Sequence, residues 1–465
     1  MAQVIDARTE GLREGFDGEV LVGGDRGYDD ARALFNGSID RRPAVIARCR
    51  TTQDVARSIA FAREQGLEMA VRGGGHSFSG QSVVDDGLMI DLSPMRDVKI
   101  DVEGRRAVVG GGASLADFDG AAQEHGLACP GGMISHTGIA GLTLGGGMGH
   151  LTRKHGLSID NLLSVELVAA DGRIVRASES ENEELFWGLR GGGGNFGVAT
   201  SFEYRLHPVG PLVQMGLFFW PAAQGVEALR LCRDVAAEAP DDIGVFIGGL
   251  SLPPAPFVPE QHIGTTGFAL IISGFDADDA HARLVERVRG VLPALVELVT
   301  PMPYTALQQM FDEGAPWGIH CYDKGTHLDE LSDDVIDVLV EHTPRKHSPM
   351  SLIPIFALGG AYTRVAQDAM AYNAPRRPSF AVSGAAVVPD PAMLEVEREW
   401  SRNLNEALRP HQSKVGRYVN FMADYDDADI VASYGREKYD RLARLKAEYD
   451  PDNVFHRNVN VKPAR

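Results

Sequence analysis

Short apolar runs and one-sided amphipathic stretches alternate through the first third of the chain. Residues 44–48, 68–72, 88–92 and 106–109 read as strands. Between the first two, Thr52 is placed to cap a helix that carries Val55, Ile59 and Ala62 and stops at Gly66. Ser114 opens another helix that ends at Gly126. The texture changes near Pro211. Longer strands are predicted over 214–220, 244–250, 266–274, 351–358 and 379–388, with amphipathic helices between them. The helix over 280–292 puts Leu284, Val285, Val288, Val291 and Leu292 on one face, and another covers 392–408. Pro354 inside the fourth of these strands predicts an edge or a bulge, because proline cannot donate to a ladder. The tail holds a strand-like segment over 418–421 and a helix over 435–449, which Asp450-Pro451 ends. The pattern is α+β, with a second sheet backed by helices. No repeat, low-complexity tract or long linker interrupts it.

Length adds that 465 residues exceed one compact core, so at least two lobes are expected. Charge narrows the partners. A formal −19 argues against nucleic acid, whose phosphates would be repelled. Arg41-Arg42 and the cluster Arg441, Arg444 and Lys446 read as solvated faces. Apolar runs such as 268–272 are too short to span a bilayer, and residues 1–20 carry no apolar signal core. The expectation is a cytoplasmic protein without a membrane segment, monomer or homodimer. Cys49, Cys129, Cys232 and Cys321 lie far apart with no CxxC pair, so neither zinc nor a disulfide framework is expected.

Glycine is the informative residue, by its clustering. Arg72-Gly73-Gly74-Gly75-His76-Ser77 runs on from a strand, and Gly80 follows. Three glycines can turn their amides outward as a nest for a pyrophosphate. The segment is neither a P-loop nor a Rossmann turn, and a glycine turn with a merely polar histidine is the competing reading. Seven of the fifteen residues 135–149 are glycine or serine, which is poor helix or strand material. That segment contains Ser135, Thr137, Gly138, Gly141, Leu142, Gly146 and Gly147. A third cluster, residues 190–198, includes Asn195, Gly197 and Val198, and follows a predicted helix over 181–189. Near the C-terminus, Asn458 and Asn460 alternate on an extended segment and point the same way, toward one polar ring edge.

Together these motifs resemble the berberine-bridge-enzyme-like flavoproteins of the vanillyl-alcohol-oxidase superfamily. RGGGHS at 72–77, SHTGIAGLTLGGGMGHL at 135–151, LVAADGRIVRAS at 167–178, LFWGLRGGGGNFGV at 185–198, YVNF at 418–421 and YDPDNVFHRNVNVKP at 449–463 carry the resemblance. The bacterial branch with hydroxynicotine oxidases and polyketide-tailoring flavoenzymes is the most similar. The resemblance implies a PCMH-type FAD lobe over 1–207, a substrate lobe over 208–414 and a tail over 415–465 that returns to the FAD lobe. It implies that His76 bonds to the flavin 8α carbon. The second, cysteinyl bond of many relatives would fall on Ile134 here, so Cys129 is expected to be unlinked. It also implies hydride transfer from a substrate C–H to flavin N5. Tyr418 is then the candidate base, sharing its face with Asn420, with Lys414 or Arg417 as cations to assist it. Tyr372, Tyr362 and His320 are rivals, and no carboxylate stands out. Thr137 falls where relatives control oxygen access, and a small residue there favours an oxidase using O2. A dehydrogenase, a biosynthetic oxygenase and a flavin-binding protein without turnover remain open. The small-molecule substrate is unnamed, with Trp220, Phe246, Phe268, Trp317 and Phe356 as possible linings.

Overall fold

The computed structural model describes residues 9–416 and 418–465, so Arg417 lies outside the described residues. Four strands open the chain: β1 (Glu19–Val22), β2 (Val45–Arg48), β3 (Met69–Arg72) and β4 (Leu88–Asp91). They form a sheet in the order β1-β2-β4-β3. β2 and β3 both pair β4 in parallel, and β1 is antiparallel to β2. Parallel neighbours need a crossover, which the helix Thr52–Gln65 supplies. Its cap is Thr51, one residue earlier than expected. Thr51 accepts from the Asp54 amide and Asp54 bonds back, a reciprocal box that satisfies two orphan amides. Gly66 ends the helix at φ 64.

Next come β5 (Val98–Asp101), β6 (Arg106–Gly110), β7 (Leu127–Ala128), β8 (Leu162–Val168), β9 (Ile174–Ser178), β10 (Val198–Arg205) and β11 (His207–Pro208). Five of them make an antiparallel sheet ordered β5-β6-β10-β8-β9, and β7 pairs with β11. Ser114 caps the helix Leu115–Gln123, which stops short of Gly126. The glycine-rich segment after it is less irregular than its composition predicts, since Ile139–Gly145 is helical. Ile139, Ala140 and Leu144 are buried, and that packing outweighs the poor helix propensity of glycine.

The second half is one seven-stranded antiparallel sheet. Its strands are β12 (Leu212–Pro221), β13 (Ile243–Ser251), β14 (Thr266–Gly274), β15 (Val296–Pro303), β16 (His320–Leu328), β17 (Ile353–Leu358) and β18 (Ser379–Val388), ordered β15-β12-β14-β13-β17-β18-β16. β15 and β16 were not among the expected strands. β16 reads HCYDKGTHL, too polar for an apolar-run signal. Pro354 lies on β17, which is interior rather than an edge. The sheet tolerates it by a lapse in the β17–β18 ladder between the pairs Leu352–Ala385 and Ile355–Val382. On the helix Asp278–Val291 the buried face is Leu284, Val285 and Val288, whereas Val291 is exposed at the helix end.

Among the described residues the tail pairs only through an isolated Met422–Lys324 bridge, not as a strand. Residues Val419–Phe421 form a single tight turn. The helix Arg436–Tyr449 then places Leu442, Leu445 and Tyr449 in the same core as Phe186 and Phe196. Lys446 is fully buried, not solvated. It donates to Asp450 Oδ2 at 2.6 Å and to the carbonyls of Asn195 and Phe455. Asp450 in turn accepts from the Val454 and Phe455 amides. The Asp-Pro pair therefore does more than stop a helix: it holds the last segment against the third glycine cluster. Among the described residues no helix is long and apolar enough to cross a membrane.

Candidate functional site

One large cavity of about 1160 Å³ lies between the glycine-rich loops, the tail and one face of the seven-stranded sheet. β3 delivers Gly73 through Ser77 straight to its wall. Among the described residues, no backbone N–H from Gly73 to Ser77 donates to a backbone carbonyl. Gly74 packs on Gly138 so tightly that a Cβ on either would overlap the other's backbone. Gly141 and Gly194 have open space where a Cβ would stand.

His76 stands on this wall in a box of rings. Phe35 stacks on it at 4.3 Å, and Trp317 meets it edge-on at 5.7 Å. Its Nε2 lies 2.8 Å from Nδ1 of His136, and its Nδ1 lies 3.4 Å from the Thr137 hydroxyl. Loss of solvation, and secondarily the His136 imidazole, lower its pKa to about 3, so the ring is neutral. His136 was not singled out in the sequence, although it lies inside SHTG. Ser135 is turned away from the cavity, with its amide and hydroxyl both bonded to Asp312.

Gly138, Leu142, Gly197, Val198 and Asn458 also line the cavity. Several predicted contacts act behind the wall instead. Arg72 donates to the Ala31 carbonyl at 2.9 Å and faces buried Asp91. Gly80 closes a turn at φ 71. Gly146 packs against the rings of both Tyr418 and Tyr372, leaving no room for a Cβ. Asn195 is fully buried and ties Gly192 to Val459 and Val461 of the tail. Asn458 and Asn460 do not share one edge, since only Asn458 reaches the cavity. Both nevertheless keep a buried Oδ1 without a partner among the described residues. Tyr425 bridges the loops, accepting from Gln81 and donating to the Asn458 carbonyl at 2.7 Å.

Tyr418 and Asn420 come together on the cavity wall. The Tyr418 oxygen accepts from the Gly147 amide at 3.0 Å and from Asn420 Nδ2 at 3.1 Å. Burial raises its pKa, and these two donors oppose that rise. Lys414 is exposed and is not among the groups acting on the phenol. Tyr372 is buried beneath Arg376 with its hydroxyl toward Tyr362, and neither tyrosine lines the cavity. His320 bonds Ser38 and also lies off the wall. The sheet contributes a carboxylate that the sequence did not flag. Asp323 on β16 lines the cavity, is 3% exposed, and keeps Oδ1 unpartnered among the described residues. Burial drives its pKa up to about 7 against the pull of the Ser383 hydroxyl and the Lys324 amide. Phe246 and Phe356 line the same space, whereas Trp220 and Phe268 are buried on the opposite, helix-covered face.

The model described as "FAD binding domain" matches residues 43–178, and that described as "Berberine and berberine like" matches residues 417–462. An FAD-linked oxidoreductase of Aspergillus terreus is 38% identical, with 97% of this chain and 95% of that one covered. The (R)-6-hydroxynicotine oxidase of Paenarthrobacter nicotinovorans is 32% identical over 96% and 97% of the two chains. This chain belongs to the berberine-bridge-enzyme-like FAD-linked oxidoreductases. The crystal structure of a 6-hydroxy-D-nicotine oxidase from Arthrobacter nicotinovorans superposes with a TM-score of 0.83 at 28% identity, covering 97% of this chain and 99% of that one. The two-lobed PCMH-type fold follows.

FAD fits what the berberine-bridge-like site offers. The amides from Gly73 to Ser77 make no backbone bond among the described residues, Gly141 and Gly194 leave space for a flat ring, and Asn458 keeps a buried oxygen for an N–H donor. Ile134 lines the cavity, whereas Cys129 is buried in the core beside Leu115 and Phe118, and burial pushes its thiol far above the usual range.

Proposed function

We propose that this berberine-bridge-like enzyme is an oxidase that carries FAD covalently on His76. The reading divides the chain as an FAD lobe over 1–207, a substrate lobe over 208–414 and a returning tail over 415–465. The observation that carries it is the setting of His76. A neutral imidazole has Nε2 engaged by His136, while among the described residues Nδ1 meets only the Thr137 hydroxyl at 3.4 Å. Nδ1 is then the nitrogen that would bond a ring methyl in place of one C–H, with the proton lost to solvent and the electron pair passed through the flavin to O2, and the glycine wall lets that methyl approach. Cys129 is unlinked in this reading, since it does not reach the cavity.

The site would hold FAD, which would supply a hydride acceptor for the C–H of an alcohol or amine carbon, with O2 as the final oxidant and H2O2 as its product. Gly73 to Ser77 would hold the pyrophosphate, with Gly138, Gly141, Leu142, Gly197, Val198 and Asn458 around the rest. Tyr418 takes the substrate O–H or N–H proton. Its oxygen accepts two N–H donors, which offset part of the rise that burial imposes on its pKa. Asp323 is a second base, favoured by its buried, unpartnered oxygen. Thr137 is small and leaves O2 room beside His76.

Acid-precipitated protein should stay yellow, and a peptide containing His76 should carry the FAD mass. His76→Ala should release flavin on precipitation. If the mutant's flavin survives denaturation, another residue holds it. Peroxide release in air, with a substrate that bleaches the flavin anaerobically, separates the oxidase from a dehydrogenase.

A further inference from the structure

The sheet side of the cavity is unusual in how little polar surface it offers. Strands alternate their faces, so residues two apart share a side. On β12, β13, β14 and β17 the cavity face carries Leu217, Phe219, Phe246, Ala269, Ile271 and Phe356. A loop adds the apolar stretch Leu252 to Ala255. Two serines on this side are already engaged. Ser251 accepts from Lys346 and bonds Thr266, and Ser351 exchanges two bonds with Val387. Glu313 is exposed.

Two polar side chains interrupt this wall with bonding capacity left over. Asp323 Oδ1 is buried and unpartnered among the described residues, and the buried Ser383 hydroxyl has the Asp323 carboxyl as its one neighbour there, so the pair keeps acceptor capacity for a ligand. They belong to adjacent strands. The register pairs Asp323 with Ala385 and Gly325 with Ser383, so the two stand diagonally on one face. Tail residue Ala423 donates its amide to the Asp323 carbonyl, which sets this polar spot beside the Tyr418 turn. The wall is therefore an apolar plate with one polar spot at its catalytic end.

We propose that the substrate is a largely apolar ring compound with a single hydroxyl or amino group at or next to the oxidised carbon, held there by Asp323 and Ser383, and that sugars are excluded. This rests on the flavin oxidase reading and names the substrate class of that site. Apolar rings gain by leaving water against such a wall. A sugar brings a hydroxyl on nearly every carbon. Each one buried without a partner forfeits on the order of tenfold in affinity, and the wall has partners for one group.

Calorimetric titration of the flavin-loaded full chain tests it with three probes: 2-naphthol, naphthalene and cellobiose. The expected order is 2-naphthol at least about tenfold tighter than naphthalene, with cellobiose weakest. Asp323→Leu and Ser383→Ala should each shrink the preference for 2-naphthol over naphthalene while leaving naphthalene binding in place. Ser383→Ala removes one oxygen only, so it decides the matter if Asp323→Leu does not fold. Cellobiose binding as tightly as 2-naphthol overturns the proposal, and so does an unchanged naphthol-to-naphthalene ratio in the folded variants. Purified protein that carries no flavin would instead overturn the oxidase reading, so the two failures are distinguishable.

Discussion

On one wall of the cavity, Gly74 and Gly138 bring two loop backbones so close that neither has room for a side chain. On the other, β12, β13, β14 and β17 fill the space with alternate side chains such as Leu217, Phe219, Phe246 and Phe356. In the proposed reading the first wall would recognise its ligand through backbone amides and can change little, because its specificity is the missing Cβ. The second would recognise through side chains on a rigid scaffold, and each can be exchanged without moving the ladder beneath it. A cofactor shared across a family suits the first design, and a substrate that differs between relatives suits the second.

That contrast breaks most visibly at a glycine contact. Gly138→Val forces a branched side chain into the Gly74 backbone and should cost at least about 3 kcal/mol. The variant should purify without flavin or fail to fold. Ala269→Val, on the sheet wall, should keep its flavin and alter only substrate binding. A Gly138→Val protein that retained full flavin would refute the rigid-wall account. Absorbance and mass of the purified proteins decide it.

The next effect sits where the walls meet. Tyr418→Phe should slow anaerobic flavin reduction by roughly 10² to 10⁴, the usual loss with a general base, and leave reoxidation in air unchanged. Thr137→Leu should do the opposite. If Tyr418→Phe reduces at the wild-type rate, the proton goes to Asp323. Activity should then rise with pH through about 7, as that carboxyl ionises.

A smaller effect is expected from His136→Ala. It removes the partner 2.8 Å from His76 Nε2 but leaves the nucleophile. Flavin should bind yet attach about tenfold or more slowly, by the worth of a hydrogen bond to a group gaining charge. Time-resolved mass analysis of apoprotein given FAD reads this, and an unchanged attachment rate would remove His136 from the account.

The smallest effect on activity belongs to the joint behind both walls. Gln308 donates to fully buried Asp119 at 3.0 Å, linking the helix Leu115–Gln123 to the segment before Met310 and Phe311. Burial raises the Asp119 pKa to about 7, opposed by Gln308. A carboxyl raised on folding stabilises fully below its unfolded value of about 3.9, and that contribution is lost as pH rises through about 7. Asp119→Asn should flatten this decline in melting temperature between pH 4 and 8 with little change in turnover. A variant with the wild-type slope would show that Asp119 ionises freely.

The sequence by itself determined the glycine wall. RGGGHS, SHTGIAGLTLGGGMG and RGGGGNFGV are contiguous, and a backbone that must lie bare against a ligand announces itself by what it lacks. The strands 266–274 and 379–388 were legible to the residue, because long apolar runs have few other fates. Only the tertiary structure decided the rest. Asp323 lay hidden in a strand whose polar sequence gave no strand signal, and it is notable only once burial strips it of water. His136 became the partner of His76 through two loops sixty residues apart. Trp220 and Phe268 fell on the helix side of the sheet and Phe246 and Phe356 on the cavity side, a matter of register. Asn195 and Lys446, which read as a ligand group and a solvated charge, are buried ties between a glycine loop and the tail. Chain-local constraints are written in the residues that bear them, whereas the role of a side chain that meets its partner across the fold depends on where packing puts both of them and how much water is left between.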